Sequence, residues 1–258
     1  MCRHYGRPLA QVLSVKRQDG ATPRGTINVY DGKRGQVIYR RDTDLRVSSW
    51  KPSHSGAQNG SSDQLLLKGP YRAVSADGCV GIELVLHHDC KDGTPDMAEI
   101  LLDVYDDSTQ YDVAITKTVE TCTCRDRALT EVKYALLSDA VEATVEVKLV
   151  RQPDNPADSC CINGKIVAHT SIGEVMLFKC NEEEEMRTDS LQGHTIIPLA
   201  SSVLAVPLES SLTINVDLHI PSTGETVKES VVCEAYIDSE HHLVDRNGHL
   251  DVKITWSD

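Results

Sequence analysis

Strict alternation of apolar and polar residues is the dominant pattern along the chain. Apolar residues occupy every odd position of residues 141–149, and the same two-residue period runs through residues 213–220 and 250–256. Because successive side chains of a β-strand point to opposite faces, this period predicts strands with one face on a core and the other in water. Weaker alternation predicts ten further strands, at residues 10–15, 26–30, 36–40, 81–86, 100–105, 111–116, 130–136, 166–170, 174–180 and 231–237.

Glycine-containing turn pairs separate these segments. Asp31-Gly32 lies between two predicted strands and is typical of a tight hairpin. Strands with one solvent-exposed face favour antiparallel sheets. Strands of parallel sheets are usually covered on both faces and would therefore be continuously apolar. The sequence therefore predicts an all-β fold, mainly an antiparallel β-sandwich or barrel-like fold, with at most one or two short helices. The helical candidate, residues 125–137, can equally be a strand. Three further pairs are predicted to be turns before strands: Asp77-Gly78, Asn163-Gly164 and Asn247-Gly248.

The domain organisation follows from length and from the polar segments. All-β domains of about 250 residues are common, so we predict a single β-rich domain over residues 1–258. The Pro-rich stretch at residues 152–158 is a candidate sub-boundary. Residues 52–63, rich in Gly and Ser, and residues 181–189, which carry four consecutive Glu, are predicted to be loops.

The net charge narrows the choice of partners. Asp and Glu number 39 against 26 Lys and Arg, which gives a formal charge of −13. An acidic chain repels phosphate backbones and anionic lipid, so we expect neither a nucleic acid nor a membrane as partner. No apolar run is long enough for a membrane span. The first residues lack the apolar stretch of a signal peptide, which favours a cytoplasmic location.

Nine cysteines raise the question of disulfides and metal sites. Cys122 and Cys124 are one residue apart, and Cys160 and Cys161 are adjacent. These spacings suit neither a zinc knuckle nor a thioredoxin-like turn. Reduced thiols in a cytosolic protein are therefore expected, with one or two disulfides in an exported form as the alternative.

Two histidine-containing turns supply the candidate metal ligands. Adjacent histidines on a strand point to opposite faces, so each pair can lend only one ligand to a single site. Three or four ligands would require the two turns to meet in space, so we expect solvated histidines, no metal and no cofactor. The weak metal candidates are His88, Cys90, His242 and His249.

The sequence assigns no catalytic residue. It has no Gly-x-Ser-x-Gly elbow and no glycine-rich phosphate-binding loop. Glu184 and Arg187 have the spacing of an N-glycosidase pair, but their acidic surroundings would repel ribosomal RNA, which argues against that activity. Trp50 and Trp256 could stack on a base. Trp256, however, is in phase with the apolar residues of its predicted strand, which favours core packing.

The segment at residues 63–74 resembles a signature of a plant family of unknown function, expanded in cereal grasses. The match rests on Gly69, Pro70, Arg72, Ala73 and Val74, followed by an apolar-Glu-apolar strand at residues 82–86. Members of that family stand alone or lie C-terminal to a ribosome-inactivating N-glycosidase domain, as in jasmonate-induced cereal proteins. The resemblance implies a β-rich plant protein in a stress or defence context and carries over no catalytic residue.

Two functional hypotheses follow. The first is a non-catalytic binding protein that acts through contacts with an unidentified protein, in an oligomeric state that the sequence leaves open. The second is a small-molecule-binding protein or enzyme with a pocket at one end of the sandwich. Gly69-Pro70 is expected to fix a turn and Arg72 to pair locally. Arg72 and Trp50 are the candidate interaction residues if they are exposed.

Overall fold

All regular secondary structure in the described residues is β-strand, arranged in three antiparallel sheets, and the predicted all-β sandwich class is confirmed. No helix that could cross a membrane occurs in this part of the chain. The computed structural model of the protein describes residues 6–18, 23–32, 34–41, 64–87, 96–103, 105–106, 108–122, 127–151, 159–180, 186–189, 194–221, 224–245 and 248–257.

The central sheet is organised around β8, a strand of 25 residues. Its N-terminal half pairs with β1 and β7, and its C-terminal half pairs with β12, β13 and β17. β16 continues the sheet beyond β17, and β4 continues it beyond β1. The eight strands are β1 (Arg7–Arg17), β4 (Val74–Ser75), β7 (Val113–Cys122), β8 (Arg127–Arg151), β12 (His194–Ile196), β13 (Val203–Pro207), β16 (Ser239–Asp245) and β17 (Gly248–Ser257).

The N-terminal sheet has four strands in the order β3-β2-β5-β6. The predicted hairpin at Asp31-Gly32 is confirmed, because it joins β2 to β3 with Tyr30 opposite Gly35. β6 is the last strand on its side of the sheet. The strands are β2 (Arg24–Asp31), β3 (Gly35–Arg41), β5 (Cys79–His87) and β6 (Asp96–Asp103).

The C-terminal sheet has the order β10-β9-β14-β15, and β11 pairs with the beginning of β9. β14 alternates strictly, with every second residue buried. The strands are β9 (Ser159–Thr170), β10 (Gly173–Cys180), β11 (Met186–Asp189), β14 (Leu212–Ile220) and β15 (Glu225–Cys233).

The central sheet is covered on both faces where β1 runs beside β8. Ala10 and Val12 of β1 belong to the core shared with the N-terminal sheet, whereas Leu9 and Leu13 belong to the core shared with the C-terminal sheet. On β8, Leu136 and Leu137 divide in the same way. Burial on both faces makes these two strands the middle layer of a three-layer arrangement.

Two segments that were predicted to be a turn and a loop contain strand residues instead. Asn163-Gly164 is not a turn but lies inside β9, paired with both β10 and β14. Gly164 has φ of 120°, and a Cβ there would overlap the Asp217 carbonyl oxygen, so the two backbones approach as only glycine allows. The predicted loop at 181–189 ends early, because Met186–Asp189 forms β11; residues 181–185 lie outside the described part.

Some of the remaining predictions concern described residues, and others concern residues that the structure does not describe. The ambiguous stretch at 125–137 is a strand from Arg127 onward. Cys79 and Cys233 are free thiols, and the reduced state of the other cysteines stays a prediction. The two cores share β1 and β8, while the single-domain interpretation stays a prediction. The predicted loop at 52–63 and the candidate boundary at 152–158 lie outside the described residues.

Candidate functional site

The signature segment around Gly69 lies between the sheets and is held by backbone hydrogen bonds at its start. The Lys68 amide donates to the Ile38 carbonyl at 2.6 Å, and the Gly69 amide donates to the Ala200 carbonyl at 2.7 Å. Gly69 has φ of 111°, a conformation that favours glycine, and the Gly69-Pro70 peptide is cis. The predicted turn at Gly69-Pro70 thus connects β3 with the segment before β13.

The Gln36 side chain fixes the next residues of this segment. Its Oε1 accepts from the amides of Tyr71 at 3.0 Å and Arg72 at 3.2 Å, and its Nε2 donates to the Arg72 carbonyl at 3.1 Å. A side-chain amide that satisfies two donors and one acceptor replaces the pairing that a neighbouring strand would provide. Gln36 therefore attaches Tyr71 and Arg72 to β3, in addition to the backbone bond from Lys68 to Ile38.

Arg72 forms an ion pair with Asp31, the last residue of β2. Its Nη1 donates to Asp31 Oδ2 at 2.9 Å and to the Ala73 carbonyl at 2.9 Å. Asp31 Oδ1 also accepts the amide of Arg34, and Oδ2 that of Ser75. The side chain of Asp31 is 2% exposed and that of Arg72 is 33% exposed. The guanidinium group of Arg72 thus joins the signature segment to β2.

Glu142 attaches the same segment to the central sheet. Its Oε2 accepts the Ala73 amide at 2.6 Å, and its Oε1 accepts the Ser257 hydroxyl at 3.3 Å. Charge-assisted bonds from a carboxylate to a backbone amide are among the stronger hydrogen bonds. The most distinctive motif of the sequence therefore has a structural role: it ties β2, β3 and β8 together.

Of the two tryptophans, only Trp256 belongs to the described residues. Trp50 lies outside the described residues. Trp256 is half-buried and packs against the core of the C-terminal sheet, and its Nε1 donates to the Ile237 carbonyl at 3.0 Å. Core packing of Trp256, as its phase on β17 predicts, removes its ring from the candidates for base stacking.

The candidate metal ligands are not brought together in the part of the chain that can be described. His88 and Cys90 lie outside it, as does the side chain of His249. His242 on β16 faces Asp251 on β17, with Nδ1 and Oδ1 2.6 Å apart. The hydrogen bond to Asp251, and then its charge, raise the pKa of His242. Within the described residues no three His, Cys, Asp or Glu groups are placed to hold a metal ion.

Cys233 and His241 form a contact that resembles a catalytic dyad in composition only. Cys233 Sγ lies 3.5 Å from His241 Nε2, and the Ser239 hydroxyl donates to the same sulfur at 3.4 Å. Burial raises the pKa of Cys233 more than the bond from Ser239 lowers it. A thiol must ionise to act as a nucleophile, and the raised pKa of Cys233 favours its protonated form.

A surface depression of about 410 Å³ lies between the β9–β10 turn and the β13–β14 turn. It is open to solvent, and its lining consists of hydroxyl, imidazole and carboxyl side chains, including those of His169, Glu209 and Thr213. Ser210 in its wall accepts the Ser171 amide and donates to the Ser211 carbonyl. Binding pockets are typically enclosed and mostly apolar, which this depression is not.

The outward side of β2, β5 and β6 forms a surface that we name the acidic–apolar face. Alternate residues of these strands enter the core, such as Ile82 and Ile100, which leaves the residues between them outside. Met97 is 68% exposed and Leu101 is 56% exposed. The name covers Asn28, Tyr30, Glu83, Val85, Met97, Glu99, Leu101 and Asp103, and it leaves out Thr26 and the exposed Arg24, which lie on the same side of β2.

Two glutamates lie directly opposite each other at the centre of this face. Glu83 on β5 is the cross-strand partner of Glu99 on β6. Asn28 Nδ2 donates to Glu83 Oε2 at 2.7 Å, and the Tyr30 hydroxyl donates to Glu99 Oε1. Like charges directly opposite destabilise a sheet, and neutral donors do not cancel the repulsion. A cation placed over this pair would relieve it.

Gly81 allows Tyr30 to reach Glu99 across the intervening strand. Tyr30 lies on β2 opposite Gly81 of β5, and Gly81 is opposite Leu101 of β6. A Cβ at Gly81 would overlap the Tyr30 ring, so the ring lies directly over the glycine backbone. The missing side chain at Gly81 is thus what brings the Tyr30 hydroxyl to the Glu99 carboxylate.

We expect the Glu99→Gln variant to lower the pKa of Tyr30 from about 12 toward its ordinary value of 10.0. The hydrogen bond to Glu99 is the largest cause of the raised pKa, because tyrosinate would face a carboxylate. Tyrosinate formation is followed by ultraviolet titration. For each protein, the curve of the same protein with Tyr30→Phe added is subtracted, which isolates Tyr30 among the eight tyrosines. Asp106→Asn is the control, and an unchanged Tyr30 titration in Glu99→Gln would contradict the contact.

The sequence did not single out this face. Alternation identified the strand at residues 81–86, but the predicted strand at 100–105 began too late to include Met97 and Glu99. Tyr105 lies in the turn after β6 rather than in the strand. A period-two search over residues 96–103 would have found the strand, because Ala98, Ile100 and Leu102 face inward.

The fold defines a layered, antiparallel all-β protein, and its described residues include an exposed acidic–apolar surface. The family model described as "Domain of unknown function (DUF6598)" matches residues 9–254. The chain belongs to this family, which agrees with the resemblance to a family of unknown function. No curated protein matches the sequence.

Solved structures give only distant similarity. Human GIVD cytosolic phospholipase A2 superposes with a TM-score of 0.30 and 10% identity over 98% of this chain and 30% of that chain. A structure of Extended-Synaptotagmin 2 with its SMP, C2A and C2B domains gives 0.29 and 7% over 98% of this chain and 57% of that chain. The chain thus spans less than two thirds of either protein, and TM-scores this low carry no argument about fold or function.

Proposed function

We propose that this protein is a non-catalytic binding protein that recognises another protein through the acidic–apolar face. The observation that carries the proposal is the exposure of Met97 and Leu101 on either side of Glu99 along one strand. In the free protein, the exposed apolar side chains lower solubility and the neighbouring like charges repel each other. A bound partner would cover the apolar side chains and offset the repulsion.

The charge of the face supports a protein partner with basic residues. β5 and β6 contain no Lys or Arg, whereas Glu83, Glu99 and Asp103 face outward. The whole chain adds a formal charge of −13, which repels nucleic acid and anionic lipid. A basic protein surface with apolar side chains is complementary to both features of the face.

The biological setting is proposed from the resemblance of the signature segment to the cereal family. A cytoplasmic plant protein of stress or defence would meet its partner in the same compartment, alone or next to an N-glycosidase domain. N-glycosidase activity of this chain itself is not proposed. Arg187 lies on β11, and an extended strand does not offer the helical spacing that a Glu–Arg pair of this kind would need.

The proposal is tested by comparing two double variants in affinity capture from plant extract. Met97→Ser with Leu101→Ser removes the apolar part of the face. Val232→Ser with Ile237→Ser removes two similarly exposed apolar side chains, 60% and 55% exposed, elsewhere on the molecule. Proteins identified by mass spectrometry are then compared with those that the unaltered protein retains.

We expect a set of basic proteins to bind the unaltered protein and the Val232/Ile237 variant and to be lost from the Met97/Leu101 variant. Direct titration of one purified protein from that set should show binding weakened about tenfold or more, as for central apolar contacts of an interface. If the Met97/Leu101 variant retains the same proteins as the unaltered chain, the face is not the binding surface.

A further inference from the structure

β6 is an edge strand: no described strand is hydrogen-bonded to its outer side, although β7 comes near it. The N-terminal sheet runs β3-β2-β5-β6, and β6 pairs with β5 over eight consecutive positions without a register shift. Such an edge presents a row of backbone amide and carbonyl groups that can pair with another strand. Bulges, which commonly protect edges, are absent from the β5–β6 ladder.

Basic side chains protect several other edges of the described sheets. β3 carries Arg40 and Arg41, and Lys117, Lys179 and Lys228 lie on β7, β10 and β15. β16 has no Lys or Arg, but it exposes Glu240 and His242 rather than large apolar side chains. β6 combines an open edge with exposed apolar residues, and its only charges are acidic. The acidic side chains of β6 therefore repel only acidic strands.

The charge on β6 decides which strand can be added. A second copy of this chain would bring the same Glu99 and Asp103 and a further formal charge of −13, so self-pairing is repelled. A basic strand is attracted by the same groups. Along the outward side, Met97 and Leu101 alternate with Glu99 and Asp103, and the inward side offers the half-buried Ala98 and Leu102.

We propose that β6 accepts a basic β-forming segment of a partner protein as an added strand, with its basic residues beside Glu99 and Asp103 and its apolar residues beside Met97 and Leu101. This inference rests on the proposed function and names its partner chemistry and binding mode. Backbone pairing gives the affinity in such complexes, and the alternate side chains give the specificity.

The first experiment measures binding of a labelled peptide, Lys-Thr-Val-Thr-Lys-Thr-Val-Thr-Lys, by fluorescence anisotropy. Its basic and apolar residues alternate on one side of an extended strand. Glu99→Lys with Asp103→Lys should weaken binding by about tenfold or more, because attraction becomes repulsion. Glu174→Lys with Glu229→Lys, which reverses two exposed carboxylates on the edge strands of the C-terminal sheet, should leave binding unchanged.

The second experiment separates strand addition from contact with the face. Two peptides of the same sequence carry N-methyl groups on the odd or on the even amides, so one of them blocks the edge that would pair with β6. At least one methylated peptide should bind about tenfold more weakly than the parent, and hydrogen exchange of the β6 amides should slow when the parent binds.

Each outcome bears on the inference. Loss of binding in the Glu99/Asp103 variant together with loss in one methylated peptide supports it. If both methylated peptides bind as well as the parent, or if the β6 amides exchange at the same rate, strand addition is wrong while recognition by the face survives. If the parent peptide does not bind, the inference fails, and capture with the Met97/Leu101 variant still decides the proposed function independently.

Discussion

Replacing Asp31 by Ala is expected to lower the free energy of unfolding by about 3 kcal/mol, because four hydrogen bonds end on this one buried carboxylate. Arg34 and Ser75 donate their backbone amides, and Arg72 donates from both terminal nitrogens, at 2.9 Å and 3.4 Å. After the substitution the two amides lose their acceptor. The Arg72 guanidinium loses its counter-charge but keeps access to water, which limits the loss.

Urea unfolding followed by far-ultraviolet circular dichroism measures this change. Asp31→Asn keeps the shape and one acceptor oxygen but removes the charge, so we expect a smaller loss of about 2 kcal/mol. A double-mutant cycle with Arg72→Ala then separates the ion pair from the two backbone bonds. The coupling between Asp31 and Arg72 should exceed about 1 kcal/mol, since one partner is buried.

The matched control is the surface pair formed by Lys228 and Asp217, whose charged atoms lie 3.4 Å apart. Lys228 is 78% exposed, so solvent screens this interaction. The double-mutant coupling of this pair should stay below about 0.5 kcal/mol. Equal couplings for the two pairs would show that the signature segment does not depend on the Arg72–Asp31 contact.

Alternation predicted the strands that have a core on one side only. β14, β17 and the C-terminal half of β8 were found almost to the residue, because each has one face against the C-terminal core. Where β1 and β8 run side by side, both faces are buried and the two-residue period disappears. The sequence therefore predicted two short strands, 130–136 and 141–149, where the structure has the single long strand β8.

The candidate site was harder to predict from the sequence than the fold was, because the site depends on strand register. Glu83 and Glu99 are each ordinary exposed carboxylates in the sequence, and only the β5–β6 pairing places them face to face. In the same way, Arg72 and Asp31 are 41 residues apart in sequence, and no local pattern links them. The signature motif could be recognised from sequence, whereas the partners that give it a structural role could not.

Replacing Gly164 by Ala is expected to be the most destabilising single change considered, with a loss of about 4 kcal/mol in the free energy of unfolding. About 2 kcal/mol comes from placing an alanine at φ of 120°. About 2 kcal/mol more comes from overpacking, because the new Cβ would overlap the Asp217 carbonyl oxygen and force β9 away from β14. Both strands belong to the same core, so the disturbance cannot stay local.

Urea unfolding of Gly164→Ala tests this prediction, with Gly32→Ala as the matched control. Gly32 lies in the β2–β3 hairpin, where an added Cβ would meet no heavy atom within 4 Å, and its φ is not positive. Its substitution should change the free energy of unfolding by less than about 1 kcal/mol in either direction. Similar losses at both positions would mean that β9 and β14 do not approach closely at Gly164. A loss confined to Gly164 shows that a pair which reads as a turn in the sequence is instead a point of close backbone contact inside the sheet.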